Sequence, residues 1–177
     1  MSVIEQLAEE QGFECMGTCS AKGLAARQEV RAMCAANKCQ EYDHSWACPP
    51  ACGEIEDFER QMHEFEQCLV LQTVAEMEDD FDVEVMQEAG ETQKQRVFDL
   101  VEALDKAGLS AQTMTLSAGT CTLCKECTYP DAPCRFPDKR LVSMEAAGLV
   151  VSEVCTQAGI PYNHGPQTIA YSSCVLY

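Results

Sequence analysis

One short cysteine-rich stretch constrains this chain more than any other feature. Residues 119–137 read GTCTLCKECTYPDAPCRFP, so three cysteines recur at two-residue gaps and a fourth follows a proline. These cysteines are Cys121, Cys124, Cys127 and Cys134. A C-x2-C-x2-C run suits a cubane 4Fe-4S cluster, in which each iron takes one thiolate and a further cysteine supplies the fourth corner. Zinc is the alternative, but it fits less well because two neighbouring thiolates already occupy half of its tetrahedron.

A second, looser group of cysteines occupies residues 34–53. Its pattern is C-x4-C-x8-C-P-P-A-C-G, and its members are Cys34, Cys39, Cys48 and Cys52. Cys-Pro is a recurrent pairing at cluster ligands, and the two prolines with Gly53 keep this loop out of helical structure. The group therefore predicts a second 4Fe-4S cluster. Tyr42 and Trp46 lie between its members, where they either cover the cluster from water or serve as core aromatics.

The total cysteine content indicates a reducing compartment. The chain of 177 residues contains 13 cysteines, and residues 1–13 are acidic without the apolar run of a secretory signal. These features favour metal-bound thiolates over a disulfide framework, so we expect a soluble, cytoplasmic protein. No apolar stretch is long enough to span a bilayer. The other cysteines are left open as core thiols or as replacement ligands: Cys15, Cys19, Cys68, Cys155 and Cys174.

The charge is strongly negative and unevenly distributed. The formal net charge is −17, and residues 54–91 contain fourteen acidic residues against one basic residue, Arg60. Such a surface repels nucleic acid and anionic membranes, so the predicted partner is a redox protein with a basic surface. Basic residues flank both cysteine groups, where they either offset the charge of anionic clusters or are scattered surface residues. They are Lys22, Arg27, Arg31 and Lys38 near the first group and Lys125, Arg135, Lys139 and Arg140 near the second.

Hydrophobic periodicity predicts alternating helices and strands. Helices are expected over residues 3–11, 24–34, 54–67, 91–107 and 143–158. Strands are expected over residues 13–20, 68–77, 111–118 and 168–176. This order predicts a single α/β domain over residues 1–177, with a small mixed or parallel sheet flanked by helices and two cysteine-rich cluster-binding loops.

Several motifs resemble those of a prokaryotic family that is known mainly from anaerobes. They are WACPPACG at residues 46–53, DFDVE at 80–84, the cysteine-rich run at 119–137, SMEAAG at 143–148 and YSSC at 171–174. The family carries the label "predicted metal-binding protein, domain of unknown function", and the resemblance begins at about residue 31 and covers nearly all of the chain after it. The resemblance implies cysteine-bound metal centres at the two groups of cysteines described above, and it assigns no reaction.

The leading functional hypothesis is single-electron transfer to a partner redox enzyme through two 4Fe-4S clusters. The sequence contains no nucleotide-phosphate loop, Rossmann fingerprint, Ser–His–Asp signature or C-x3-C-x2-C motif. A second hypothesis is an enzyme: with Cys52 unbound, one iron would stay open to a small substrate, and Asp80, Asp82 or Glu84 would serve as acid or base. A third is a structural zinc protein that acts as an interaction module.

Overall fold

A four-stranded antiparallel sheet forms the centre of the structure, a computed structural model that describes residues 1–79 and 81–177. Its strands span Cys15–Ser20 (β1), Gln67–Glu76 (β2), Met114–Leu116 (β3) and Thr168–Leu176 (β4). They lie in the order β1-β2-β4-β3, and every neighbouring pair is antiparallel. Because β2 and β3 are both antiparallel to β4, they share one direction, and the last strand separates them. The α/β class is confirmed, and its sheet is antiparallel.

Helices cover both faces of this sheet. They span Val3–Glu9 (α1), Gln28–Ala35 (α2), Ile55–Met62 (α3), Val83–Lys106 (α4) and Val151–Gln157 (α5). Residues of α1 and α4 pack with Leu69 and Leu71 of β2 on one face. Residues of α3 and α5 pack with Cys68 and Val70 of the same strand on the other face. The alternation of β2 side chains between two cores follows from the period-two geometry of a strand.

The longest helix, α4, begins earlier than the predicted start at residue 91. Asp82 caps it by accepting a hydrogen bond from the Val85 backbone amide at 3.2 Å. The eight residues before the predicted start, 83–90, carry no apolar stripe, because Ala89 is the only buried residue among them. The predicted part of the helix includes Gln93, which is buried against the sheet. Its side-chain amide donates to Ser173 Oγ at 3.0 Å. The first two turns of α4 therefore bury too little apolar surface for hydrophobic periodicity to predict them.

The helix predicted over residues 143–158 is wrong in its first half. The chain makes a turn after Ser143, whose Oγ accepts from the Ala146 amide at 3.1 Å, and α5 begins only at Val151. Gly148 interrupts the helical path with φ +89°, and a Cβ there would lie 2.5 Å from Ile55 Cδ1. Gly148 adopts the left-handed backbone conformation and packs against α3, so it breaks the helix. Hydrophobic periodicity does not predict such a break.

The remaining predicted elements are present with adjusted ends. The strand predicted over 168–176 has those bounds, whereas the one predicted over 111–118 is reduced to β3 after a short 3-10 turn, Ser110–Gln112. The helix predicted over 24–34 begins only at Gln28. None of the helices in the described part of the chain is both long and apolar enough to cross a membrane.

Candidate metal centres in two cysteine loops

The second cysteine loop, residues 119–137, follows β3 and encloses a cavity. The cavity has a volume of about 360 Å³, and all four predicted ligands line it: Cys121, Cys124, Cys127 and Cys134. Burial raises the pKa of the Cys121 thiol, and the negative charges of the other three thiolates raise it further. The structure therefore brings the predicted ligands of the second group together around one space.

Cys127 differs from Cys121 because its surroundings stabilise the thiolate. Burial raises its pKa, but hydrogen bonds from the backbone of Trp46 and Tyr129 and from the Ser45 side chain outweigh burial. Together they hold the pKa of Cys127 below its ordinary value. The thiolate is the form that binds metal. Ser45 and Trp46 belong to the first cysteine loop, so the first loop stabilises the thiolate of a predicted ligand in the second loop.

The four cysteines of the first loop, residues 34–53, also lie close together. Burial raises the pKa of the Cys48 thiol to about 11, and the charges of Cys39 and Cys52 add to this rise. Burial likewise raises the pKa of Cys34, and the charge of Cys39 raises it further. Burial also raises the pKa of Cys52, and the charge of Cys34 adds to that rise. These mutual effects on pKa place each thiol of the group close to two of the others. Cys39 is exposed, whereas the other three are half-buried.

Both groups are sets of neighbouring thiols rather than closed ion sites. Within residues 1–79 and 81–177, no three His, Cys, Asp or Glu side chains are arranged to hold a metal ion. The chemistry of the donors is nevertheless specific. Four soft sulfur ligands suit iron in a cluster or zinc, and they do not suit calcium or magnesium, which take oxygen ligands.

The two cysteine loops meet in one interface. The indole Nε1 of Trp46 donates to the carbonyl oxygen of Ala132 at 2.9 Å, and its ring packs edge-on against Tyr129 with centroids 4.9 Å apart. The Cys48 thiol lies 4.0 Å from Thr120 Oγ1, to which it donates. Trp46 lines the cavity of the second cysteine group. The aromatic residue suggested as a cover for its own group thus lies against the other group.

Two arginines place positive charge beside the cysteines. Arg31 is held in position by donating from Nε to the carbonyl oxygen of Ala146 at 2.6 Å and from Nη2 to that of Gly53 at 2.8 Å. Burial raises the pKa of Cys52, and the charges of Arg31 and Arg140 oppose that rise. Arg140 also lines the cavity of the second group. Cations therefore do accompany both cysteine groups at these positions.

Two other basic residues from the sequence analysis serve elsewhere. Lys22 forms an ion pair with Glu66 at 3.1 Å, and Arg27 forms one with Glu153 at 2.7 Å. Exposed ion pairs of this kind contribute little to stability. Of the eight basic residues near the cysteine groups in sequence, Lys125, Arg135 and Arg140 line the cavity of the second group and Arg31 approaches the first, whereas Lys22 and Arg27 pair with carboxylates.

Lys94 is a residue near the cysteines that sequence analysis missed. It lies on α4, is half-buried, and lines a small cleft together with Thr120 and Cys121. Burial lowers the pKa of Lys94, and the nearby charges of Cys121 and Cys48 oppose that effect. No cysteine spacing could have located it, because α4 precedes the second loop and reaches it only through the packing of the fold.

The acidic residues of the enzyme hypothesis have other roles or lie in exposed positions. Asp82 caps α4 and also accepts from the Glu78 amide at 3.1 Å. Glu84 is exposed in the first turn of the same helix. Asp82 is about 18 Å along the helix axis from Lys94, at 1.5 Å per residue. Asp80, the third residue of that hypothesis, lies outside the described residues.

The remaining cysteines belong to the sheet and its core. Cys68, Cys155 and Cys174 are fully buried among apolar residues. Cys19 pairs with Cys68 across β1 and β2, and hydrogen bonding to Cys68 together with burial strongly raises its pKa. Cys15 is half-buried at the start of β1. These positions match inert thiols better than ligands of the two groups.

Comparison with known proteins identifies a family and nothing narrower. Neither the curated proteins nor the solved structures include a match to the chain. The sequence profile of the family described as "Predicted metal-binding protein (DUF2284)" matches residues 18–177, which include both cysteine loops and all four strands except the start of β1. The chain therefore belongs to this family of predicted metal-binding proteins.

Proposed function

We propose that this protein transfers single electrons through two 4Fe-4S clusters. One cluster would be held by Cys34, Cys39, Cys48 and Cys52, and the other by Cys121, Cys124, Cys127 and Cys134. The observation that carries the proposal is the arrangement of the thiols. Two sets of four, each made of close neighbours, lie in two loops that share one interface. When bound, such clusters supply reversible one-electron reduction.

The environment of the thiols favours clusters over zinc. A cluster with four thiolates is anionic, and nearby cations such as Arg31 and Arg140 offset that charge. Hydrogen bonds to a ligand sulfur, as at Cys127, also tune the potential of an iron–sulfur centre. The closely spaced cysteines at 121, 124 and 127 suit the separate corners of a cubane better than one tetrahedral ion. Trp46 lines the cavity of the second group, where its indole ring adds apolar surface beside the thiols.

The interface offers short connections between the two centres. Trp46, whose backbone donates to Cys127, precedes Cys48 by only two residues. Thr120, which accepts from Cys48, directly precedes Cys121. Each contact joins a ligand of one group to the chain beside a ligand of the other. This arrangement supports transfer of an electron from one centre to the other within the protein.

The partner we propose is a redox protein with a basic surface, in a reducing cytoplasm. Exposed Glu54 and Glu56 follow Cys52 closely, so acidic charge lies beside the first centre. With a small basic haem protein as surrogate acceptor, reduction should slow as salt is added, because exposed charges are screened within about 8 Å at physiological ionic strength. The double change Glu54→Gln and Glu56→Gln should also slow reduction, whereas Glu9→Gln and Glu10→Gln at the end of α1 should not. Faster transfer at high salt would contradict this docking surface.

The deciding experiment is anaerobic purification followed by counts of iron, acid-labile sulfide and zinc. Two clusters predict about eight iron and eight sulfide per chain and a brown protein. The matched control is Cys15→Ser, which changes a thiol outside both groups and should leave the counts unchanged. A colourless protein with stoichiometric zinc would overturn the proposal in favour of a structural module.

A further inference from the structure

We propose that Lys94 is a shared positioning residue whose positive charge raises the reduction potentials of both centres. The inference deepens the proposed function and rests on it. It concerns a residue on a helix, outside both cysteine loops and outside every motif that the sequence analysis singled out.

Packing places Lys94 at the interface of the two groups. Its side chain lines a cleft with Thr120 and Cys121, and its Cε would lie 4.0 Å from a Cβ built at Gly119. Thr120 is in turn the residue that accepts from the Cys48 thiol. The Lys94 side chain thus lies beside Cys121, a proposed ligand of the second centre. It also lies beside Thr120, which accepts from Cys48, a proposed ligand of the first centre.

The charge of Lys94 is free to act on the thiolates. Among the described residues no ion pair includes Lys94, whereas Lys106 on the same helix pairs with Glu102 at 3.4 Å. Lys94 is half-buried, so water screens its charge less than it screens the charge of an exposed lysine. The carboxylates of Glu41 and Glu91 lie near enough to raise the pKa of Lys94, but neither forms an ion pair with it.

Lys94 also suits this role better than the arginines. Arg31 approaches only the first group, and its side chain braces the loop through two hydrogen bonds. Arg140 approaches both groups but follows directly on the second loop. Lys94 is carried by α4, whose position is secured by buried Gln93 and Val97 on either side. Its charge can therefore be changed with little effect on the loops.

The sign of the effect follows from the charge change on reduction. Each one-electron reduction adds a negative charge, which a nearby cation stabilises. Replacing Lys94 by a neutral residue should lower the equilibrium constant for reduction of each centre about tenfold, or about 59 mV for a one-electron couple. Lys94→Arg should retain potentials close to those of the wild type.

The test is redox potentiometry on anaerobically purified wild type, Lys94→Met, Lys94→Arg and the control Lys106→Met. Lys106 carries the same charge on the same helix, about 18 Å further along its axis. We expect both midpoint potentials to fall in Lys94→Met alone. Iron and sulfide counts come first, so that a wild type without clusters refutes the proposed function and this inference with it.

Other outcomes separate the two proposals. A wild type with two clusters, and a Lys94→Met protein with unchanged potentials, would overturn the role of Lys94 and leave the proposed function intact. A fall at only one centre would overturn the claim that the residue is shared. If Lys94→Met binds less iron, Lys94→Gln, which keeps a polar side chain, decides by the same measurement: unchanged potentials in that variant refute the inference.

Discussion

The two cysteine loops reach similar arrangements of thiols by different means. In the second loop the cysteines are closely spaced and line one cavity, so the local chain brings them together. In the first loop they are spread over residues 34–52, one of them is exposed, and Arg31 ties the loop to the turn at residues 143–148. The contrast shows that close spacing builds a site locally, whereas wide spacing requires support from distant parts of the fold.

The largest expected effect is the loss of one centre. Cys124→Ser should reduce iron from about eight to about four per chain by removing the second cluster, because each cubane needs its four thiolates. Cys48→Ser should remove the first cluster to the same extent and leave the second. Iron and sulfide counts on each variant make the measurement. Retention of all the iron in either variant would show that its ligand set is assigned wrongly.

The next effect concerns the turn that supports the first loop. Gly148→Ala combines a φ of +89° with a Cβ that would lie 2.5 Å from Ile55, so we expect a loss of roughly 2–5 kcal/mol in the free energy of unfolding. Gly159→Ala is the matched control, with a φ of +71° but open space around it, and should cost about 1–2 kcal/mol. Chemical denaturation measures both. Equal losses of unfolding free energy in the two variants would mean that the close approach of residue 148 to Ile55 adds nothing to the cost of Gly148→Ala.

A smaller effect is expected at Arg31. Arg31→Met removes two hydrogen bonds to backbone carbonyls of the supporting turn and of the first loop, at a cost of about 2 kcal/mol. Iron should therefore leave the first centre faster than the second when a chelator is added. Arg27→Met, which removes only a surface ion pair, is the control and should change release little. Equal release from both centres in Arg31→Met would remove the distinction between the loops.

The smallest effect is a difference in thiol reactivity without a change in stability. In reduced, metal-free protein, Cys127 has a lowered pKa, so a larger fraction of it is thiolate at pH 8 than for an ordinary cysteine. Cys48, with a pKa of about 11, is then only about 0.1% thiolate. Iodoacetamide should modify Cys127 first, as read by peptide mass spectrometry, and the advantage should shrink as the pH rises towards 11. Equal rates of modification of Cys127 and Cys48 at pH 8 would argue against stabilisation of the Cys127 thiolate by the first loop.

Patterns that depend on neighbouring residues were predictable from the sequence. The final strand has its predicted bounds, and four of its nine residues are β-branched or aromatic: Thr168, Ile169, Tyr171 and Val175. The two cysteine groups were recognisable from their spacing. The predicted helices before and after the sheet strands were found with shifted ends. Failures arose where a distant contact overrides a local pattern, as at Gly148, which packs against Ile55, and where the first turns of α4 bury too few apolar residues to form a pattern.

The sequence by itself determined which residues carry the soft donors, and it placed them in two loops of an α/β fold. Only the tertiary structure decided that β4 lies between β2 and β3, that Trp46 lines the cavity of the cysteines in the other loop, and that Lys94 lies beside Cys121. The physical reason is the range of the interactions. Ligand spacing and strand periodicity are properties of adjacent residues, whereas shared burial and electrostatic proximity arise only after distant segments pack together.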